Sequence, residues 1–123
     1  MVSRETLIES FKDTVNQCNN NSKLKMLTDE AKRSTIVYRG NIHIESKILP
    51  LPDANVEVVE GTTFDVAKRY AAKGKKVAVL NFANPHNPGG GVERGAMAQE
   101  ECLCRSSNLY QCLKLVTANV EYY

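Results

Sequence analysis

The sequence predicts an α/β domain with a parallel sheet and a helical N-terminal part. Three observations carry this reading. Apolar residues recur at helical spacing near the N-terminus. A strand-helix-strand succession runs from Val56 to Phe82. A glycine triplet, Gly89-Gly90-Gly91, then follows the second strand at its carboxyl end, the edge of an open α/β sheet where ligands sit.

The elements follow in order. Leu7, Ile8, Phe11, Val15 and Cys18 fall on one helical face, so a helix is expected from Arg4 to Cys18, capped by Ser3. Asn19-Asn20-Asn21-Ser22 breaks it, and Ser22 is the expected cap of a second helix through Arg33, with Leu24, Leu27 and Ala31 inward. Thr35 to Tyr38 has the β-branched composition of a strand. Residues 41–48 alternate weakly, and Pro50 to Asp53 reads as a turn. Val56, Val58 and Val59 mark a strand, and Phe64, Val66, Ala67, Tyr70 and Ala71 give the next helix, Thr63 to Lys73, its apolar face. Gly74 closes that helix as a left-handed residue. Lys76 to Phe82 is an almost unbroken apolar run, expected of a strand covered on both faces. Strand, helix and strand at this spacing make a right-handed βαβ unit. A helix is expected to start near Ala96. Val116 to Tyr123 reads as the approach to a further strand, so the sheet is expected to be incomplete, with a sticky edge.

Length and composition narrow the function classes. The 123 residues suffice for about one domain. With 42% hydrophobic and 24% charged residues the chain is an ordinary globular protein rather than a disordered one. Net charge is +2 with the basic residues scattered, so no tract points to DNA as a direct partner. No apolar stretch is long enough to span a bilayer, and no signal core opens the chain, so a cytoplasmic location and no membrane partner are expected. Cys18, Cys102, Cys104 and Cys112 are sparse and lack metal-ligand spacing with His43 or His86; mostly buried free thiols are expected, and no metal site.

The chemistry concentrates in one segment. Seven residues separate the glycine triplet from Gln99-Glu100-Glu101. Glycines let a backbone approach a bulky polar ligand closely, and their amides can form an anion-binding nest beside a helix N-terminus. Two adjacent carboxylates can do acid/base work on what the glycines hold. Cleavage at an anomeric carbon needs a proton for the leaving oxygen and then an activated water. A neighbouring carboxylate and exclusion of water favour the protonated form such a donor needs, whereas a helix N-terminus opposes it. Plainer readings exist for each part. Glycines make turns, and acidic residues in a first helical turn complement the dipole. The fixed gap between the two motifs favours the catalytic reading over both. The triplet lacks the Gly-Lys-Ser/Thr ending of a nucleoside triphosphatase loop.

From Asn81 to Gly91, at Gln99-Glu100-Glu101, and onward from Cys102 to Tyr110, the sequence resembles the bacterial-type poly(ADP-ribose) glycohydrolases. These are macrodomains with an N-terminal helical extension, marked by a glycine triplet, a short spacer and Gln-Glu-Glu. The resemblance implies a three-layer α/β/α macrodomain-like fold, with residues 1–53 as the helical extension and first strand, and residues 54–123 as the first half of the catalytic core, truncated there. It implies Glu101 as the acid and base, Glu100 as the residue that bonds the ribose and sets geometry, and Gln99 as a supporting position. Gly89, Gly90 and Gly91 would line the distal ribose and diphosphate, with Val92 packed nearby. Asn87 would contact the ribose hydroxyls, having donor and acceptor without a charge to desolvate. Asn84 is the weaker candidate, since Asn before Pro also starts turns. Thr62 stands where macrodomains read adenine but replaces their usual acidic residue, and helix capping explains it equally. His86 reads as incidental exposed-loop material, and Arg94 could meet a phosphate, although a single loop arginine is usually just solvated.

Hydrolysis of the ribose–ribose O-glycosidic bond of poly(ADP-ribose), releasing ADP-ribose without a cofactor, is the function implied. A module that holds ADP-ribose without turnover is the second reading, with ADP-ribosylated proteins as partners. The third is a fragment that needs a complementary C-terminal segment or another copy to complete its fold.

Overall fold

The computed structural model describes residues 2–38, 40 and 54–119. Five α-helices and one 3₁₀ turn are present among them. Helix α1 spans Arg4–Asn20, where Ser3 takes the cap position and accepts from the Thr6 amide at 3.1 Å. Asn21 ends α1 by donating its own amide to the Gln17 carbonyl, and opens α2 (Ser22–Arg33) by accepting from Leu24 N. The cap expected at Ser22 therefore lies one residue earlier, because the asparagine side chain reaches the orphan amides of the first turn. Helix α3 spans Thr63–Ala71, shorter than expected by one turn fragment, and Gly74 (φ +72°) carries the left-handed exit.

Two compact units divide the chain. One comprises residues 1–35 and 80–123, the other residues 36–79. In the second unit Thr62 caps α3, accepting from Asp65 N at 3.2 Å, and Tyr70 donates its hydroxyl to Glu57 Oε2 at 2.8 Å.

The first unit holds the core. After the 3₁₀ turn Val92–Arg94 come α4 (Gln99–Arg105) and α5 (Leu109–Asn119). Phe11 of α1, Val92, Cys104 of α4 and Tyr110 of α5 form its buried centre, with Val15, Leu109 and Leu113 packed around them. The Phe11 and Tyr110 rings meet edge to face at 4.8 Å, the arrangement their quadrupoles favour. Thr14 donates its hydroxyl to the Arg105 carbonyl, tying α1 to the end of α4.

The α/β expectation is not met among the described residues, where no strand forms. Residues 35–38, 54–60 and 75–84 run without strand or helix, and the predicted βαβ unit does not assemble there. A strand is defined by a neighbour that takes its amides and carbonyls. The apolar run expected to be covered on both faces, Lys76 to Phe82, is instead open: Leu80 is 68% and Phe82 70% exposed. The strand expected from Val116 is also corrected, since residues 116–119 continue α5; extending an existing helix adds a hydrogen bond per residue. The helix expected from Ala96 starts at Gln99, because residues 96–98 lie outside any helix and Ala98, at the cap position, is extended. The weak alternation over 41–48 and the turn at Pro50 lie outside the described residues. Among the described residues no helix is long and apolar enough to cross a membrane. Cys18 and Cys104 are buried, Cys112 half-buried and Cys102 exposed, all as free thiols.

Candidate active site

Gln99, Glu100 and Glu101 open α4, and each side chain turns back onto the segment from Leu80 to Gly91. Gln99 works like a short strand partner. Its Nε2 donates to the Leu80 carbonyl at 2.7 Å while its Oε1 accepts from the Phe82 amide at 2.9 Å. One side-chain amide thus satisfies two backbone groups that would otherwise pair with a strand.

Glu100 organises the loop. Its Oε1 accepts from Gly89 N at 3.1 Å and Asn81 Nδ2 at 3.2 Å, and its Oε2 accepts from Asn84 N at 2.8 Å. The residue is only 2% exposed. Three donors offset the desolvation of a buried carboxylate. A carboxylate has about four acceptor sites, so one on Oε2 remains.

Glu101 is held differently. Oε1 accepts from Gly91 N at 2.8 Å. Oε2 accepts no hydrogen bond among the described residues, and the residue as a whole is buried, 7% exposed. One oxygen is anchored and the other makes no hydrogen bond among the described residues.

The glycines are required by this arrangement. Gly89 and Gly90 have φ of +79° and +58°, a region that side-chain-bearing residues avoid. A Cβ at Gly90 would lie 2.3 Å from Glu101 Oε1, one at Gly89 would lie 2.8 Å from the Tyr110 ring, and one at Gly91 would lie 2.9 Å from the Ala96 methyl. The bareness of the loop first admits the chain's own carboxylates and aromatic ring. The free amide nest expected for a ligand is not what the structure holds. Gly89 N goes to Glu100, Gly90 N to the Asn87 carbonyl at 2.8 Å, and Gly91 N to Glu101.

The remaining sequence candidates divide clearly. Asn84 builds the turn: its Oδ1 accepts from His86 N and Asn87 N, each at 2.9 Å. Asn87 is exposed, and its side chain makes no hydrogen bond among the described residues. Val92, expected beside a ligand, is 1% exposed in the core, where the 3₁₀ turn points it inward. Thr62 lies in the other unit as the cap of α3. Among the described residues no cluster of His, Cys, Asp and Glu could hold a metal ion.

Sequence reasoning missed four contributors. Asn81 orients Glu100 and leaves its own Oδ1 enclosed without a partner; a lone amide inside an apolar run was the available signal. Tyr110 floors Gly89 and donates its hydroxyl to Glu93, and burial followed by that bond pushes the phenol above its usual range. Arg105, itself buried, donates to the Ala96 carbonyl and to Cys102 Sγ at 3.3 Å. Arg4 donates its Nε to the Arg94 carbonyl at 2.6 Å. The last three contacts join distant parts of the fold or successive turns, and nothing in local spacing announces them.

No curated protein and no solved structure matches this chain. A family model described as microbial-type PARG, catalytic domain, matches residues 5–123, nearly the whole chain. That family implies a glycosidase with poly(ADP-ribose) as its substrate. A cradle of bare glycines wrapped around two buried carboxylates, within a match of that extent, places the chain in the family of microbial-type poly(ADP-ribose) glycohydrolase catalytic domains.

Proposed function

We propose that the chain carries the catalytic centre of a poly(ADP-ribose) glycohydrolase, cleaving the ribose–ribose O-glycosidic bond and releasing ADP-ribose. The observation that carries this is Glu101, with one oxygen tied to Gly91 N and the other without a hydrogen bond among the described residues, so that one acceptor is left for a ligand at the glycine loop. In this reading Glu101 Oε2 gives its proton to the leaving ribose oxygen as the C–O bond breaks. The anomeric carbon passes through an oxocarbenium-like state. The same carboxylate then takes a proton from the water that adds to that carbon, which restores the acid.

Glu100 holds the loop that presents the sugar, and its remaining acceptor site suits a ribose hydroxyl. The free amide of Asn87 suits the same sugar's diol. Gly89 and Gly90 let a pentose lie against the backbone. The architecture that goes with this reading is the α/β macrodomain type, with residues 1–53 as helical extension and 54–123 in the core. Support comes from the apolar runs at Val56–Val59 and Val77–Leu80, which are exposed and have the β-branched composition suited to pairing in a sheet.

A module that binds ADP-ribose without turnover is favoured by one observation: Glu100 is so fully engaged that it serves loop geometry, leaving one carboxylate with a free oxygen. Glu101→Gln separates the two. The hydrolase reading expects ADP-ribose release from the polymer to fall by at least about a thousandfold, with ADP-ribose affinity retained. Undiminished release by the variant would remove Glu101 from the reaction.

A further inference from the structure

We propose that Arg4 and Arg94 bind a phosphate of the polymer unit on the far side of the bond being cut, so that the site recognises two adjoining units rather than one. The inference rests on the hydrolase reading and adds a substrate subsite to it.

The two arginines are 90 positions apart, yet Arg4 Nε donates to the Arg94 carbonyl at 2.6 Å. That bond brings the first turn of α1 to the end of the glycine loop. Together they border a cavity of about 330 Å³ whose walls include Val2, Leu7, Gly91 and Met97. Its size is at the small end of ligand clefts.

Charge in this cavity is not cancelled from within. Among the described residues the ion pair formed is Lys25 with Asp29, and neither arginine has a carboxylate within ion-pair distance. The neighbouring acid Glu93 is engaged with the Tyr110 hydroxyl. Glu5 lies beside Arg4 in the exposed first turn, where it accepts first from backbone and then from Ser3 and feels the Arg4 charge less than either bond. The amino end of the 17-residue α1 adds to the positive side. Planar guanidinium forks match phosphate oxygens bidentately.

Position then identifies which phosphate. A point built one bond off Gly91 Cα lies 3.7 Å from Glu101 Oε1 and 3.8 Å from Arg94 Nη2. The anchored oxygen of Glu101 and the Arg94 guanidinium therefore flank the same glycine. The unit to be released is assigned to Asn87, Gly89 and Gly90, which precede Gly91 in the loop; Arg94 follows it. A chain whose glycosidic bond lies at Glu101 must leave in some direction, and the unpaired cations mark one. Val2 and Met97, 57% and 64% exposed, add an apolar edge suited to the adenosine of that next unit.

The test compares ADP-ribose with a dimeric ADP-ribose oligomer, titrated against the full chain carrying Glu101→Gln so that nothing is cleaved. Arg4→Gln with Arg94→Gln is expected to weaken binding of the dimer by about tenfold or more, while ADP-ribose binds as before. Arg94→Gln alone repeats the test without touching the Arg4 contact, since the hydrogen bonds Arg94 makes to the fold come from its backbone amide and carbonyl. Raising salt should weaken the dimer more than the monomer in the parent and equally in the double variant. Equal loss for both ligands would assign the arginines to the released unit, and no loss for either would empty the subsite; each overturns the proposal. Cleavage by the parent chain with arginine-indifferent binding would sink this inference alone. Arginine-dependent dimer selectivity without any cleavage would sink the hydrolase reading alone.

Discussion

Gly90 and Glu101 occupy each other's space: a Cβ on the glycine would sit 2.3 Å from the carboxylate oxygen that Gly91 N holds. The loop is bare where its own carboxylate passes, and the position of that carboxylate is set by the contact.

Gly90→Ala is therefore expected to differ from Gly74→Ala, although both glycines have positive φ. At Gly74 nothing lies within 4 Å of an added methyl, so the cost is the backbone term of roughly 1–2 kcal/mol. At Gly90 the same backbone term is joined by displacement of Glu101. Thermal melts should show both variants destabilised, Gly90→Ala more, and only Gly90→Ala should lose hydrolysis beyond what its stability explains. Equal activity in the two would disconnect the glycine from the carboxylate.

Glu100→Gln is the sharper stability test. The amide can accept through one oxygen only, and its NH₂ would face a donor already present, either Asn84 N or the Gly89 N and Asn81 Nδ2 pair. An unsatisfied buried donor costs about 1–3 kcal/mol, so denaturant unfolding should show a loss in that range or above. Amide exchange at Asn84 and Gly89 should speed up while exchange in α1 tracks global stability. Unchanged exchange at both amides would mean Glu100 does not hold the loop.

Alkaline pH should destabilise the protein through Cys104. Burial first, then the Glu100 and Glu101 charges, push its thiol from an ordinary value near 9 up to about 12. The folded state keeps the proton that the unfolded chain gives up. Stability from this group is therefore whole below about pH 9 and is lost as pH rises towards 12. Tyr110, also raised by burial and by Glu93, adds loss of the same sign above its ordinary value of 10. Cys104→Ala should flatten the decline of melting temperature between pH 9 and 11 relative to the parent chain. A parallel decline in the two proteins would show the thiol to be uninvolved.

Much of the first unit was legible in the residues. Leu7, Phe11, Val15 and Cys18 repeat every three or four positions, and an amphipathic helix forms wherever such a face finds a core, so α1 and its Ser3 cap follow from local pattern. The Gln99-Glu100-Glu101 motif was visible as well, although the helix it opens was expected from Ala96. Hidden from local pattern was what those side chains would face. Whether Val77 to Phe82 pairs as a strand depends on a neighbour, and the backbone from Leu80 to Phe82 takes its partner from a single glutamine side chain. The consumption of the glycine amides, the core position of Val92 and the meeting of Arg4 with Arg94 are likewise tertiary outcomes. Residue types and spacing determine which helices form and which groups can do acid/base work, because those depend on neighbours a few positions away. Who accepts from whom across 10 to 90 positions is decided only by packing, because a hydrogen bond needs its atoms within about 3 Å and sequence distance carries no such information.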